Sequence, residues 1–284
     1  MINVSSYKRP VTLAQATELM TSDEYAPIAG GTDLILQLRH GKPKNLLDVS
    51  LLGLDLIKDI GDEIEIGAAV IHARLSSDPI IKKFLPVLSR AAGLIGSLQI
   101  RNRGTVGGNI VNASPCADTA PALLVYDSEV LLKSKKGERR IKLADFITSP
   151  YTTLLQPNEL LHSFICKKAP DNSHFTYIKL GRRQAVNISR MSIAVSLCQN
   201  DDKTINAVQI AGGSIFPAPS RLPEVEDILL GQLISDKLFE EAGNFAAELM
   251  IKHSGYRWST PYKQPVLAGL MKRALIEAST SRTN

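Results

Sequence analysis

Residues 101–121 form a glycine- and amide-rich run that constrains the fold of this chain more than any other stretch. The run reads RNRGTVGGNIVNASPCADTAP and brings Gly104, Gly107 and Gly108 close together. Glycines allow positive φ angles and a close approach of main-chain N–H groups, while Thr, Asn and Ser add short hydrogen-bonding side chains. No packing requirement asks for these residue types here. The run therefore predicts a loop that lies against a polar ligand.

A second loop of the same kind lies far upstream, at Ala29-Gly30-Gly31-Thr32-Asp33-Leu34. We expect Thr32 to cap a helix that extends to about Arg39 and stops at Gly41. The loop would then lie at a helix N-terminus, where free N–H groups and the helix dipole favour an anion. Alone, such a loop is also typical of a plain turn. Two such loops together suggest a dinucleotide held at its diphosphate from two sides.

Composition and the absence of other motifs exclude several classes of protein. The patterns G-x-G-x-x-G and G-x-x-x-x-G-K do not occur, which argues against a nicotinamide cofactor or nucleoside triphosphate bound in those modes. The net charge of +5 suits an anionic ligand but is too small and too dispersed to predict nucleic-acid binding. No apolar run approaches the roughly 20 residues of a membrane span, and the sequence begins without a signal-peptide pattern. We expect a cytoplasmic protein with no membrane partner.

The cysteines and histidines show no metal-ligand spacing. Cys116, Cys166 and Cys198 contain no C-x-x-C pair, so this chain by itself should hold neither zinc nor an iron–sulfur cluster. Cys116 lies inside the glycine-rich run but has no resolving cysteine nearby in sequence, and we interpret it as a small packed residue. The histidines, among them His72, form no i, i+4 pair and are interpreted as structural.

The order of predicted elements indicates two domains. A chain of 284 residues with 44% hydrophobic content is long enough to bury two cores. In the first part we predict strands at 46–49, 64–67, 130–133, 140–143 and 160–166, and helices from Asp78, interrupted at Pro86, and at 117–125. After a polar stretch at 168–173 we predict strands at 175–180, 192–198 and 207–212, then helices at 236–252 and 261–277. Strands followed by helices are typical of an α+β domain with helices on one face of an antiparallel sheet.

The two loops together resemble those of a known family, the flavin-binding medium subunits of the molybdenum hydroxylases. This group includes xanthine dehydrogenase, carbon monoxide dehydrogenase and nicotinate dehydrogenase. The resemblance rests on residues 29–34, on the run from Gln99 to Asp118 and on the total length, so it is nearly full-length. It is strongest to the flavin subunits of bacterial xanthine dehydrogenases, through Asn187-Ile188-Ser189 after the basic run 179–183. Relatives usually carry Asp where this chain has Asn187.

The resemblance implies an α+β fold whose first part is a FAD-binding domain of the vanillyl-alcohol-oxidase type. That domain would span residues 1–170, with subdomains at about 1–55 and 56–170. A small C-terminal domain, an antiparallel sheet with helices, would span residues 171–284.

The resemblance also assigns residues to a non-covalently bound FAD. Those along the diphosphate and the adjoining ribityl chain would be Ile28, Ala29, Gly30, Gly31, Thr32 and Asp33. The main flavin loop would comprise Gly104, Thr105, Val106, Gly107, Gly108 and Asn109, with Ser114 and Asp118 near the adenosine, where Asp118 takes a sugar hydroxyl. Leu160 matches an apolar flavin contact, with ordinary core packing as its alternative. Lys179 matches a lysine near the flavin, with a solvated strand end as its alternative.

In function, the resemblance implies an oxidoreductase subunit without a catalytic side chain of its own. Its FAD would pass electrons from a [2Fe–2S] small subunit to NAD+ or another acceptor, and a molybdopterin large subunit would hydroxylate the substrate. Arg182 and Arg183 are candidates for contacting the phosphates of the acceptor. One alternative is a stand-alone flavoreductase resembling UDP-N-acetylenolpyruvoylglucosamine reductase, although no convincing pair of proton-donating Ser and Glu is present. Another is a structural subunit that has lost its flavin.

Overall fold

The structure, a computed structural model, describes residues 3–22, 25–170, 172–183 and 186–280. Its N-terminal part is a three-stranded parallel sheet in the order β1-β3-β2, with two helices. The elements are β1 (Val4–Lys8), α1 (Leu13–Ser22), β2 (Tyr25–Ile28), α2 (Leu34–Leu38) and β3 (Lys44–Asp48). Ala16 and Met20 of α1 pack on Tyr25 and Leu47 in a small core of their own, which Leu160 joins from the next subdomain.

Helix α2 differs from its prediction in its caps. It begins at Leu34, and Asp33 occupies the N-cap position without a side-chain cap. Gly31 has a φ of +71°, so a right-handed helix begins only after this left-handed turn. The helix ends at Leu38 with Arg39 as its C-cap, in agreement with the predicted end at about Arg39. The predicted cap at Thr32 is wrong, and Gly41 lies two residues after the C-cap instead of at the C′ position.

The middle part, built around a five-stranded antiparallel sheet, contains the glycine-rich run. The strand order is β4-β5-β10-β6-β7, and a two-stranded hairpin, β8–β9, lies beside it. The strands are β4 (Ile57–Asp59), β5 (Glu63–Gly67), β6 (Glu129–Ser134), β7 (Gly137–Lys142), β8 (Ile147–Ser149), β9 (Thr152–Thr153) and β10 (Leu160–Lys167). The helices are α3 (His72–Ser77), α4 (Pro79–Phe84), α5 (Pro86–Gly93), α6 (Leu98–Arg101), α7 (Val106–Asn112), α8 (Thr119–Leu124) and α9 (Leu143–Phe146).

The predicted start and interruption of the helices in this part are confirmed. The Asp78 carboxylate accepts a hydrogen bond from the N–H of Ile80 at 2.9 Å and caps α4, with Pro79 at the first helical position. Pro86 opens a separate helix, α5, because proline has no N–H to continue α4. These helices lead the chain into the glycine-rich run.

The C-terminal part is an antiparallel sheet in the order β11-β12-β13-β14, with helices packed against it, as predicted. The elements are β11 (Ser173–Leu180), β12 (Met191–Gln199), β13 (Ile205–Gly213), β14 (Ser220–Arg221), α10 (Pro223–Leu229), α11 (Asp236–Ser254) and α12 (Thr260–Thr280). Ser235 caps α11 by accepting from the Leu238 N–H at 3.1 Å, and Gly255 ends it with a φ of +70°. A Cβ on Gly243 would overlap the Ala268 carbonyl, so this glycine lets α11 and α12 pack closely.

The C-terminal sheet is continuous in packing with the middle part. Tyr177, Ala194 and Ala211 belong to the core of the middle subdomain, and Arg221 pairs with Asp127 at 2.7 Å.

The α+β fold, two subdomains followed by a small sheet with helices, is confirmed. The domain boundary at residues 170 and 171 stays a prediction, and Asp171 lies outside the described residues. Among the residues described, none of the helices has both the length and the apolar character that a membrane crossing needs.

Candidate functional site

A cavity of about 350 Å³ lies between the N-terminal sheet and the middle subdomain. This volume is in the range of small-molecule sites, roughly 300–1,000 Å³. Both glycine loops reach the cavity although more than 70 residues separate them in the chain. The predicted site residues that line it are Ile28, Ala29, Gly30, Gly31, Thr32, Asp33, Gly104, Thr105, Gly107, Gly108, Asn109 and Leu160. Ile95 also lines it.

The upstream loop presents unused N–H groups to the cavity. The main-chain N–H groups of Gly30, Gly31 and Thr32 donate no hydrogen bond within the described part of the chain. The positive φ of Gly31 bends this segment into a concave turn, a backbone shape that binds anions. A Cβ on Gly30 would overlap the Arg103 carbonyl oxygen and lie 3.0 Å from the Gly104 Cα. Gly30 is therefore required because the two loops touch.

The downstream loop uses its N–H groups inside the protein. Gly104, Gly107 and Gly108 are not among the residues with positive φ, and the last two lie in the first turn of α7. The Gly107 N–H donates to the Ala68 carbonyl at 2.9 Å, and the Gly108 N–H donates to the Thr105 hydroxyl at 3.1 Å. Contact of these three glycines with FAD stays a prediction.

The side chain of Asn109 supplies a donor in their place. Asn109 accepts from the Thr119 hydroxyl at 2.5 Å, which leaves its NH₂ group without an acceptor in the described part of the protein.

The packing of Gly107 explains why it is a glycine: a Cβ there would lie 2.6 Å from the Ala68 carbonyl oxygen. Gly108 is exposed instead and faces the cavity.

Four predicted site residues lie outside the cavity lining. Val106 is fully buried in the core, and Ser114 accepts a hydrogen bond from the Cys116 N–H at 3.3 Å. Asp118 accepts from Tyr177 at 2.9 Å and from Lys179 at 2.7 Å. The interpretation of Lys179 as a solvated strand end is wrong, since its side chain is only 5% exposed. Contact of these four residues with FAD stays a prediction.

The pair Asp118–Lys179 is a buried ion pair at the junction of the middle and C-terminal parts. Lys179 also donates to the Leu94 carbonyl at 3.0 Å, so its ammonium group joins three segments of the chain. Burial raises the pKa of Asp118 above its usual value, against the opposing effects of Lys179 and Tyr177. The structure thus uses Asp118 to hold the C-terminal sheet against the glycine-rich run.

Sequence reasoning missed several residues that line the cavity. Glu159, which directly precedes Leu160, is buried and accepts two hydrogen bonds from Arg139, at 2.6 and 2.8 Å. Burial raises the pKa of Glu159, but Arg139 and the Gln156 N–H outweigh it and hold the pKa below its usual value. Gln37 was missed too, and it donates a hydrogen bond of 3.4 Å across the cavity to Asn112, whose amide in the glycine-rich run was expected to reach the ligand. No spacing in the sequence indicates these pairs.

His72 also lines the cavity, although its sequence pattern indicated only a structural residue. It starts α3, is 2% exposed, and its N–H donates to the Gly104 carbonyl at 3.0 Å. Burial, followed by the positive charge of Arg101, lowers the pKa of His72 to about 4. The imidazole is therefore neutral at pH 7.

This lowered pKa predicts a pH-dependent stability. Between about pH 6.5 and pH 4 the unfolded chain binds a proton at His72 that the folded chain does not, so stability falls as the pH falls. From pH 7 to pH 5 the ligand-free protein should lose about 2 kcal/mol more unfolding free energy than His72→Gln does. Urea unfolding at the two pH values measures this difference. Equal losses in both proteins would contradict the assignment of a lowered pKa to His72.

Comparisons with known proteins agree with this architecture along nearly the whole chain. Residues 3–166 match the FAD binding domain in molybdopterin dehydrogenase, and residues 176–278 match the CO dehydrogenase flavoprotein C-terminal domain. The glyceraldehyde dehydrogenase medium chain of Sulfolobus acidocaldarius is 30% identical, over 96% of this chain and 98% of that one. The xanthine dehydrogenase FAD-binding subunit of Escherichia coli O157:H7 is 29% identical, over 98% of this chain and 97% of that one.

A solved structure supports the same assignment. A chain of carbon monoxide dehydrogenase from Hydrogenophaga pseudoflava superposes with a TM-score of 0.90 at 26% identity, over 98% of each chain. The two family matches, in this order, cover the two loops of the cavity and the C-terminal sheet with its helices. This chain therefore belongs to the family of FAD-binding subunits of the molybdenum hydroxylases, and it is an oxidoreductase subunit.

Proposed function

We propose that this chain binds one FAD non-covalently in the cavity and relays electrons through it, from an iron–sulfur partner to NAD+ or another acceptor. The observation that carries the proposal is the set of unused N–H groups at Gly30, Gly31 and Thr32, three residues that line a cavity of suitable size. Such groups fit the oxygens of a diphosphate without a basic side chain. When bound, FAD takes up electrons from a donor cluster and transfers hydride to NAD+.

The chain's own residues bind, orient and shield the cofactor. The turn at residues 30–32 holds the diphosphate, and the Asn109 amide adds a donor from the opposite loop. Ile28, Leu54 and Leu160 give the cavity an apolar wall that excludes water. The Glu159 carboxylate at this wall is neutralised by Arg139, which limits its repulsion of the anionic cofactor. No side chain here acts as a nucleophile or a general base in the proposal.

The partners in the proposal are a [2Fe–2S] small subunit and a molybdopterin large subunit. Within the described residues, no group of three or more His, Cys, Asp and Glu side chains lies close enough to hold a metal ion. Relatives are described as a medium chain and a FAD-binding subunit, which supports a multi-chain assembly over the stand-alone flavoreductase. The large subunit would hydroxylate xanthine or another aza-heterocycle. A cytoplasmic location and NAD+ as acceptor remain predictions.

The experiment that tests the relay compares the isolated chain with the assembled complex. The chain is co-expressed with its candidate small and large subunits, and flavin absorbance is followed after a purine is added without oxygen. We expect bleaching in the complete complex, and none with the isolated FAD-loaded chain or with a complex that lacks the large subunit. Bleaching of the isolated chain would contradict the relay. So would unchanged absorbance in a fully metallated complex tested across candidate heterocycles.

A further inference from the structure

His72 combines two features that single it out among the residues around the cavity. Its side chain is 2% exposed yet lines the cavity. Its Nδ1 is buried and has no hydrogen-bond partner in the described part of the chain. Because a buried N–H without an acceptor is costly, the proton of the neutral ring is disfavoured on this nitrogen.

The imidazole lies where the two glycine loops meet. A Cβ on Gly104 would be 3.1 Å from the His72 Cδ2 and 3.4 Å from its Nε2. On the other side of Gly104, a Cβ on Gly30 would be 3.0 Å from the Gly104 Cα. Main-chain pairing fixes this arrangement, because Ile71 forms a bridge with Thr105 and the His72 N–H donates to Gly104. The imidazole therefore keeps its position relative to the loops.

The two imidazole nitrogens have different surroundings. Nδ1 is sealed inside the protein, and a proton on it would be a buried donor without an acceptor. Nε2 also lacks a hydrogen bond to the described residues, but it is not among the sealed atoms. It is thus the nitrogen open to the cavity that His72 lines. The neutral imidazole consequently carries its proton on Nε2 and offers an N–H donor there.

The residues that line the cavity supply few positive groups to an anionic ligand, so a neutral N–H donor matters there. Among the described residues that line the cavity, none is Lys or Arg, whereas Asp33 and Glu159 are acidic. Glu159 is paired with Arg139, whose guanidinium lies outside the lining. A diphosphate in this cavity therefore meets main-chain N–H groups and amides, and His72 is the basic side chain within its reach.

We propose that His72 donates a hydrogen bond from Nε2 to a diphosphate oxygen of bound FAD. The inference rests on the proposed binding of FAD in this cavity. It makes His72 a binding residue rather than the purely structural one that the sequence suggested. The imidazole packs beside Gly104, and Gly104 packs against Gly30, whose N–H donates no hydrogen bond within the described residues. This closeness to the upstream turn favours the diphosphate over the flavin or the adenine.

Two substitutions test the donor. His72→Gln keeps an N–H group near the place of Nε2, whereas His72→Leu keeps the bulk and removes both nitrogens. We expect His72→Leu to weaken FAD binding about 10- to 100-fold, and His72→Gln to recover most of that loss. Fluorescence titration of the ligand-free chain with FAD gives the dissociation constants. His162→Leu is the matched control, since His162 is half-buried on β10 and does not line the cavity.

Shorter ligands identify the part of FAD that His72 contacts. ADP carries the diphosphate without the flavin, and riboflavin carries the flavin without phosphate. A loss in His72→Leu that appears with FAD and ADP but not with riboflavin supports the proposal. A loss with riboflavin but not with ADP overturns it, as does equal FAD binding by the parent and His72→Leu. A parent chain that binds neither FAD nor ADP overturns the proposed function itself.

A spectroscopic measurement on the parent protein is independent of any folding defect in the variants. With ¹⁵N-labelled histidine, the His72 imidazole should show the tautomer protonated at Nε2, and its Nε2 resonance should shift when ADP is added. A proton on Nδ1, or an Nε2 resonance that ADP saturation leaves unchanged, would overturn the proposal.

Discussion

Gly30→Ala is expected to weaken FAD binding by at least about 100-fold, because it adds one methyl group where the two loops touch. The new Cβ would overlap the Arg103 carbonyl oxygen, which is main chain and has no side-chain freedom to yield. Relief of the overlap must separate the loops and displace the N–H groups at residues 30–32. Each charge-assisted hydrogen bond lost costs about 1.5–3 kcal/mol, so the loss of two is enough for this effect.

The fold should survive this substitution, since overpacking costs about 1–3 kcal/mol and a typical domain is stable by about 5–15 kcal/mol. Gly30 has no positive φ, so alanine fits its backbone conformation, and only the contact is disturbed. Gly269→Ala is the matched control, because a Cβ there meets no atom within 4 Å. FAD titration together with circular dichroism measures both quantities. A folded Gly30→Ala chain with parental affinity would show that the loops do not clasp FAD as proposed.

Gly107→Val would be a poorer test of the site. Its Cβ would lie 2.6 Å from the Ala68 carbonyl oxygen and 2.7 Å from the Ala68 Cβ, inside the protein. Loss of FAD binding in that variant would therefore not separate a damaged fold from a damaged site.

Asp118→Ala is expected to lower the unfolding free energy by about 3–5 kcal/mol, because it leaves the Lys179 ammonium buried without its counter-charge. The side chains of Asp118 and Lys179 are 7% and 5% exposed, and their N–O distance is 2.7 Å. The double variant Asp118→Leu/Lys179→Met should regain most of the loss, since an apolar pair of similar size often replaces a buried ion pair without penalty. Urea unfolding of the parent, Asp118→Leu, Lys179→Met and the double variant measures the coupling, and Asp118→Ala is unfolded in the same series.

Asp127→Asn provides the comparison for an exposed pair, because asparagine removes the charge and still suits the positive φ of 45° at this position. Asp127 contacts Arg221 at 2.7 Å, but its side chain is 44% exposed, so we expect a loss of no more than about 1 kcal/mol. An Asp118→Ala loss as small as that of Asp127→Asn would show that the buried pair does not hold the C-terminal sheet in place.

Much of the fold could be predicted from local sequence patterns. The cap at Asp78 and the break at Pro86 depend on residues within a few positions of each other, and both are confirmed. The two glycine loops could also be recognised, because glycines beside short polar residues are conspicuous in any sequence. Two such loops suggested one ligand held from two sides, and both loops line one cavity in the structure.

The local geometry of the loops was predicted less well. Gly104, Gly107 and Gly108 were expected to allow positive φ or a close approach of the main chain, whereas Gly31 has the positive φ and Gly107 and Gly108 are helical. A glycine permits positive φ but does not require it. From the sequence alone, a glycine needed for a left-handed turn cannot be distinguished from one needed for a close contact. The structure distinguishes them, because a Cβ added at Gly107 would overlap Ala68 and one added at Gly30 would overlap residues 103 and 104.

The sequence by itself determined the order of the elements, the α+β class and the two loops, because these depend on residues close together in the chain. Only the tertiary structure decided which distant side chains meet at the site. In the folded chain His72 packs beside Gly104, Arg139 donates a hydrogen bond to Glu159, and Lys179 donates one to Asp118. Such pairs have no sequence spacing of their own, since sheet register and helix packing set the distance between their side chains. That packing also buries the His72 side chain. Burial lowers the pKa of His72 and so keeps the imidazole neutral, and the packing leaves Nε2 accessible from the cavity.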